Sequence, residues 1–162
     1  MRESPADLER LQALVDASID AAGPFLRNSF EMPERSLSAQ RLVERLQGLL
    51  TVALATTTAR GEPRVAPIGA LFVRGAFHVP TVAQAARTRH LTARPAASLT
   101  CFEGTEMAVI AHGRVAIVDP TDAAFAELDA VQVECGGQSP TEWRGDAVFL
   151  RLDAERLFTY AR

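Results

Sequence analysis

The chain has 162 residues, of which 48% are hydrophobic and 23% are charged, a balance that predicts one domain large enough to bury its own core. Its formal net charge of -3 argues against a nucleic acid or an anionic membrane surface as the main partner, because both require a basic excess. The sequence has neither an apolar run long enough to span a membrane nor the layout of a signal peptide, so we expect a cytoplasmic protein.

The types of side chain present exclude several kinds of chemistry. The chain contains no lysine, so Schiff-base catalysis is excluded and arginine is the permanent cation available for binding anions. Cys101 and Cys135 lack the spacing of a metal or redox motif, and we expect both to be free thiols. The three histidines are scattered without metal-ligand spacing, so no metal site is expected; they are His78, His90 and His112.

The first 48 residues read as a helical extension that precedes the rest of the domain. Ser4 and Asp7 have the spacing of a capping box, and apolar residues then recur at helical intervals until Gly23. Residues 24–37 read as an extended connection. A second helix is expected over 38–47. We therefore divide the single domain into an N-terminal extension, 1–48, and a core, 49–162.

The core is dominated by alternating apolar residues, which predict β-strands. Strands are expected over 51–58, 64–73, 76–80, 97–102 and 106–118, followed by a broken sixth strand over 147–152 and 157–160. Gly113 lies inside the fifth strand, where a glycine is typical of a bulge or bend. The fold class predicted is mainly β with peripheral helices: six antiparallel strands that close on themselves.

A candidate anion site lies where the third strand ends. Thr81 and Gln84 have capping-box spacing, which predicts that a helix begins at Thr81. Arg87 follows about one turn later, and the predicted helix ends at Arg94, before a proline. The start of a helix attracts anions through its unpaired N–H groups and partial positive charge, so a phosphate is expected there.

Six short segments in this order resemble the FMN-binding split β-barrel family, which is related to pyridoxamine 5′-phosphate oxidase and includes reductases that use the deazaflavin F420. The segments are VALATT at 52–57, GEPRVAP at 61–67, FHVPT at 77–81, ARTRHLTARP at 86–95, ASL at 97–99 and GRVAI at 113–117. No single segment is specific to the family. Their order and spacing carry the resemblance, which covers roughly residues 50–120.

The resemblance implies a six-stranded antiparallel split β-barrel that forms a homodimer, with two FMN sites at the subunit interface. It implies that the second strand lies along the flavin ring and that the following helix start takes the phosphate, with Arg87 where the family usually has a lysine. Trp143, from the other subunit, is expected to cover the edge of the ring. The cofactor-binding residues implied are Arg64, Val65, Ala66, Pro67, Thr81, Arg87 and Trp143.

The function implied is that of an FMN-dependent oxidoreductase acting on a small organic substrate, with no catalytic residue identified. Pyridoxamine phosphate oxidases carry a C-terminal motif with arginine and histidine, and no histidine follows His112 here, so that specific activity is not expected. One alternative is an F420-dependent reductase, whose cofactor tail would need a longer basic groove from Arg60, Arg89 and Arg94. Another alternative is a flavin- or haem-binding carrier or sensor without turnover.

Overall fold

The computed structural model describes residues 2–143 and 145–162 of the chain. Helices precede the strands, and two further helices interrupt them. The helices are α1 (Pro5–Ala21), α2 (Pro24–Ser29), α3 (Ala39–Arg45), α4 (Ala86–Ala93) and α5 (Phe125–Gly136), with a short 3-10 helix at Pro140–Glu142. The strands are β1 (Leu50–Thr57), β2 (Pro63–Val73), β3 (Ala76–Val82), β4 (Ala96–Glu103), β5 (Met107–Val118) and β6 (Ala147–Ala161).

The strands form a closed barrel in the order β1-β2-β3-β6-β5-β4, and every neighbouring pair is antiparallel. This confirms the predicted fold class. The contact between β2 and β3 is short, because only residues 71–73 pair with residues 76–78. Beyond that hairpin β2 continues along β1 while β3 continues along β6, so the two strands diverge and leave a gap in the barrel wall.

The predicted irregularity in the fifth strand is confirmed. His112 pairs with Arg156 and Gly113 pairs with Ala154, so Glu155 is an extra residue on β6. A Cβ atom added to Gly113 would lie 2.1 Å from the carbonyl oxygen of Asp153, which no side chain can accommodate without a backbone shift. The prediction of a broken sixth strand was wrong: β6 is continuous, because the bulge absorbs its polar middle without ending the pairing with β5.

The N-terminal helices agree with the sequence in part. The capping box of α1 is present: Ser4 Oγ accepts from the Asp7 N–H, and the Asp7 carboxylate accepts from the Ser4 N–H. The backbone and hydroxyl hydrogen bonds from Ser4, supported by Arg10, lower the pKa of Asp7. The extended connection predicted over 24–37 was wrong, because Pro24 occupies the first position of α2, where proline suits a helix.

Besides a small cluster that includes Leu26 of α2 and Phe158 of β6, two apolar clusters hold the helices on the barrel. The larger one fills the barrel, and α1, α3 and α4 all contribute to it, with Leu42 and Leu91 among the buried side chains. The smaller one joins Leu128 of α5 to the outward-facing Leu71 and Phe149. Helix α5 therefore covers the outer face of β2 near the hairpin, while the outer face of β1 and of the first half of β2 is partly or fully exposed.

Both cysteines are free thiols, as predicted, with Cys101 buried in β4 and Cys135 partly exposed. Burial raises the pKa of the Cys101 thiol. No helix in the described part of the chain is both long enough and apolar enough to cross a membrane. Among residues 2–143 and 145–162, no three metal-ligating side chains converge on one point.

Candidate functional site

Arg87 lies in the first turn of α4 and is half-buried. Its Nη1 atom donates a hydrogen bond to Thr81 Oγ1 over 3.0 Å. It forms no ion pair with any carboxylate of the described residues, whereas Arg64 and Arg74 each do. Arg87 therefore keeps an uncompensated positive charge and several N–H groups that are free to bind an anion.

The predicted helix start at Thr81 was wrong. Strand β3 continues through Thr81 to Val82, because these residues pair with Val148 and Ala147 of β6. Helix α4 begins only at Ala86, and the residue before it provides no side-chain cap. Thr81 is instead a buried strand residue whose hydroxyl contacts Arg87.

The turn between β3 and α4 is fixed by hydrogen bonds from α4 itself. Thr88 Oγ1 donates to the carbonyl oxygen of Val82 over 2.9 Å, and Arg89 donates to the carbonyl oxygen of Gln84. Further along the helix, His90 Nδ1 lies 3.1 Å from Thr56 Oγ1 on β1. These contacts attach both turns of α4 to the barrel and hold Arg87 in position.

Two clefts meet at Arg87. The first, the β1–β2 cleft, has a volume of about 510 Å³ and is bounded by β1, the start of β2 and α4. It is lined by Leu54, Thr56, Thr58, Arg64, Val65, Ala66, Ala86, Arg87 and His90. Two arginines and no carboxylate line this cleft within the described residues, so its electrostatic environment favours an anion.

The second, the β2–β3 cleft, has a volume of about 470 Å³ and occupies the gap where those two strands diverge. It is lined by Leu49, Ile68, Gly69, Pro80, Thr81, Val82, Arg87, Gln132 and Trp143. Arg87 belongs to both linings, so the two clefts adjoin at this residue.

The structure brings most of the predicted site residues together. Arg64, Val65 and Ala66 line the β1–β2 cleft, and Thr81 and Trp143 line the β2–β3 cleft of the same chain. Pro67 lies on β2 between the clefts and is exposed, but it is not part of either lining as the described residues define them. Arg64 is less available than Arg87, because it pairs with Glu62 at 2.7 Å.

Sequence reasoning missed Gln132. Its side chain is only 4% exposed, and its Oε1 atom has no hydrogen-bond partner in the part of the chain that the structure describes. It lies on α5 next to Val131, within the apolar stripe that begins at Phe125 and Leu128. A polar residue on a buried helical stripe is the signal that identifies it.

Solved structures with this fold have several different ligands in their descriptions. The heme storage protein HutZ from Vibrio cholerae is 21% identical, with a TM-score of 0.62, and the match covers 75% of this chain and 93% of that one. An F420 reductase is 20% identical, with a TM-score of 0.57 and coverage of 69% and 91%. A pyridoxamine 5′-phosphate oxidase-related, FMN-binding protein from Nostoc punctiforme is 16% identical, with a TM-score of 0.53 and coverage of 67% and 72%.

These identities establish a shared fold and nothing more specific. No protein of curated function matches the chain. A family model described as pyridoxamine 5′-phosphate oxidase matches residues 38–161, which include α3, every strand of the barrel and both clefts. The match covers well over half of the sequence, and it agrees with the motif order between residues 50 and 120. The chain therefore belongs to the pyridoxamine 5′-phosphate oxidase family of split β-barrels.

Proposed function

We propose that this protein binds FMN across the two clefts and that Arg87 and Thr81 hold its phosphate. The observation that carries the proposal is the unpaired, half-buried guanidinium of Arg87 beside the Thr81 hydroxyl. Arg87 has further N–H groups that no described residue accepts. The hydroxyl of Thr81 accepts from Arg87 and can still donate its own proton. Together they offer a phosphate several donors, one of which is charged.

The edge of β2 fits the role of ring support. Over residues 63–70 this strand pairs with β1 on one side, and its other edge has no strand partner among the described residues because β3 has turned away. In an antiparallel strand alternate N–H and C=O groups point to each edge, so β2 presents unpaired backbone donors and acceptors here. Within Arg64, Val65, Ala66 and Pro67, the alternate residues whose backbone groups point to this free edge then bond the polar edge of the flavin.

The reaction proposed is that of a flavin-dependent oxidoreductase acting on a small organic substrate. Bound FMN supplies hydride and electron transfer, which no side chain can provide. The residues of the chain bind and orient: Arg87 and Thr81 fix the phosphate, β2 fixes the ring, and Trp143 covers an edge of the β2–β3 cleft. The remaining open volume near His90 and Thr58 is the place for the substrate.

We also propose that the working unit is a homodimer. The outer face of β1 and its neighbours carries small side chains that permit close approach, such as Ala53, Ala55 and Ser98. Val65 is 70% exposed and Phe102 is 60% exposed at the edges of the same face. Large exposed apolar residues around a flat, small-residue surface are typical of a face that is covered by a partner.

F420 is the less favoured cofactor. Its longer acidic tail would require basic side chains along the cleft, and the candidates were Arg60, Arg89 and Arg94. None of the three belongs to the described lining of either cleft, and Arg89 is engaged with the carbonyl oxygen of Gln84. The available positive charge is concentrated at one point, which suits a single phosphate better than an extended tail.

Haem binding without turnover is the second candidate, and His90 is the observation in its favour. The ring lines the β1–β2 cleft and is oriented by the contact between its Nδ1 atom and Thr56. Its Nε2 atom has no hydrogen-bond partner among residues 2–143 and 145–162 and is free to ligate iron. A second group that holds the first nitrogen is the usual arrangement for a ligating histidine.

The absorption spectrum of the reconstituted protein distinguishes these candidates. The purified protein is incubated separately with FMN, F420 and hemin, freed of unbound ligand, and recorded. FMN retention in a one-to-one ratio supports the proposal, and retained hemin whose Soret band changes in His90→Ala supports the second candidate. Retention of F420 but not FMN, or of none of the three, would contradict the proposed function.

A further inference from the structure

A separate cavity lies between α1, the β2–β3 turn, α5 and β6. Its volume is about 540 Å³, which is within the usual range for sites that bind small molecules. Its lining shares no residue with the β1–β2 or β2–β3 cleft in the described chain. Its lining combines leucines, Leu11, Leu14, Leu128 and Leu152, with charged residues from the same elements.

His78 and Asp7 are the buried polar residues of this lining, and Asp7 is already bonded to Ser4 and Arg10. His78 is only 6% exposed, and its Nδ1 atom lies 3.1 Å from the carbonyl oxygen of Ala76. A carbonyl oxygen only accepts, so the proton is on Nδ1 and Nε2 keeps its lone pair. Burial lowers the pKa of His78 to about 4, and the ring is therefore neutral at physiological pH.

The Nε2 atom of His78 is an unused acceptor. No described residue donates to it, and His78 is one of the residues that line the cavity. An acceptor at this position is satisfied by a hydroxyl or an N–H group of a ligand.

The charged residues of the lining offer the opposite kind of hydrogen bond. Arg74 binds Glu127 through Nε and Nη2, and Arg151 binds Asp153 through the same two atoms. Asp7, the third carboxylate of the lining, pairs with Arg10, so each carboxylate has an arginine partner, whereas the Nη1 groups of Arg74 and Arg151 have no described partner. The unused groups of these two ion pairs are therefore N–H donors, which suit an oxygen acceptor such as a carboxylate.

Arg74 lines the cavity from the two-residue β2–β3 turn, in which its backbone is left-handed. Arg74 has a φ of 53° and Gly75 a φ of 77°, so both residues of the β2–β3 turn are left-handed. Glycine adopts this conformation freely, but arginine does so rarely and at an energetic penalty. The Arg74 N–H is held by the carboxylate of Glu3 at 3.0 Å, which helps to stabilise the turn. Positive φ at both positions is the requirement of a two-residue hairpin, so the strain belongs to the turn itself.

We propose that this cavity is a second small-molecule site, and that its ligand is a compact hydroxylated carboxylic acid with an apolar frame. The hydroxyl donates to His78 Nε2, the carboxylate accepts from the free Nη1 groups of Arg74 and Arg151, and the frame packs on the leucines. The site is independent of the FMN proposal, because the two share no residue.

The test uses three related probes and calorimetric titration of the full chain, with and without FMN. 4-Hydroxyphenylacetate carries both groups, phenylacetate lacks the hydroxyl, and methyl 4-hydroxyphenylacetate lacks the charged carboxylate. We expect saturable one-to-one binding of the first and about tenfold or greater loss for each of the others, since each loses one hydrogen-bonded group. Equal affinity for all three, no saturable binding at millimolar concentration, or competition with FMN would overturn the proposal.

Two variants and one spectroscopic measurement localise the binding. Arg151→Gln should weaken 4-hydroxyphenylacetate about tenfold, whereas Arg156→Gln, an exposed arginine on the same strand and outside the cavity, should not. His78→Phe should remove the preference for the hydroxylated probe. Because His78→Phe can also impair folding, the ¹⁵N resonance of His78 Nε2 is followed in the wild-type protein. This chemical shift should change when 4-hydroxyphenylacetate is added and stay the same when phenylacetate is added. Identical responses to the two probes would refute the site, as would equal effects of the two arginine variants.

Discussion

Arg87 Nη1 and Thr81 Oγ1 are joined by a 3.0 Å hydrogen bond that connects the first turn of α4 to the end of β3. The two residues come from different elements, and neither is held there by a carboxylate of the described chain. Thr81 is buried, so its hydroxyl orients the guanidinium in place of solvent. The pair is therefore positioned before any ligand arrives, which reduces the entropic cost of binding one.

Thr81→Val tests this orienting contact. Valine has nearly the same shape but no hydroxyl, so Arg87 loses its partner and the phosphate loses one donor. We expect FMN affinity to fall about 3- to 10-fold, the effect of one ordinary hydrogen bond, with little change in the affinity for riboflavin. Fluorescence titration measures both. Unchanged FMN affinity in a folded Thr81→Val protein would show that the hydroxyl has no part in binding.

Gly113→Ala tests the bulge between β5 and β6. The added Cβ would meet the backbone of Asp153 at 2.1 Å, so the strands must shift apart. Overpacking of this kind costs about 1–3 kcal/mol of the free energy of unfolding. Gly23→Ala is the matched control, since its Cβ would meet nothing within 4 Å. Urea denaturation compares the two, and equal midpoints for both variants would mean that the bulge does not depend on glycine.

The bulge and the failed helix start show which features a sequence predicts. Gly113 could be recognised because its requirement is local: a glycine inside an alternating strand. The helix expected at Thr81 had an equally good local signal, but the pairing of Val82 with Ala147 extended β3 past it. That pairing joins residues far apart in sequence, and no local pattern encodes it.

The site residues show the same division between what is local in sequence and what is not. The residues taken from the motif order, from Arg64 to Arg87, lie within one continuous stretch, and the structure places them around the two clefts. Gln132 reaches the β2–β3 cleft from α5, after two intervening strands, and was therefore missed. The cavity around His78 was not predicted either, because α1, the β2–β3 turn, α5 and β6 all contribute to it.

His78 should make stability depend on pH. Its pKa is lowered from 6.5 to about 4 by burial, with Arg151 and Asp153 acting in opposite directions. The unfolded chain therefore binds a proton between pH 6.5 and 4 that the folded chain does not, and the free energy of unfolding decreases as pH falls through this window. The full loss is about 3 kcal/mol.

Equilibrium unfolding at a series of pH values measures this contribution. His78→Phe should flatten the profile between pH 6.5 and 4, while His112→Gln, which changes an exposed histidine, should leave it intact. A wild-type profile with the same slope as that of His78→Phe would mean that the buried ring is not the group responsible.

Ala53→Arg tests the proposed dimer face. Ala53 faces outward at the centre of this surface, opposite Pro67 on one side and Thr100 on the other. A buried, unpaired charge costs more than the interface can offset, so we expect the variant to be a folded monomer. Ala126→Arg, on the exposed side of α5, should remain a dimer. Light scattering at micromolar concentration measures the oligomeric state of the wild type and of both variants. A monomeric wild-type protein would contradict the proposal directly.

The central claim is that Arg87 binds the phosphate of FMN, and Arg87→Ala tests it most directly. Hydrogen bonds to charged groups contribute roughly 1.5–3 kcal/mol, so FMN affinity should fall on the order of 10–100-fold. Riboflavin lacks the phosphate and should bind both proteins alike. Arg94→Ala, at the C-terminal end of the same helix, exposed and outside both clefts, controls for the loss of charge. An FMN-specific loss in Arg87→Ala alone is the predicted result; equal losses for FMN and riboflavin, or no loss for FMN, would contradict the account.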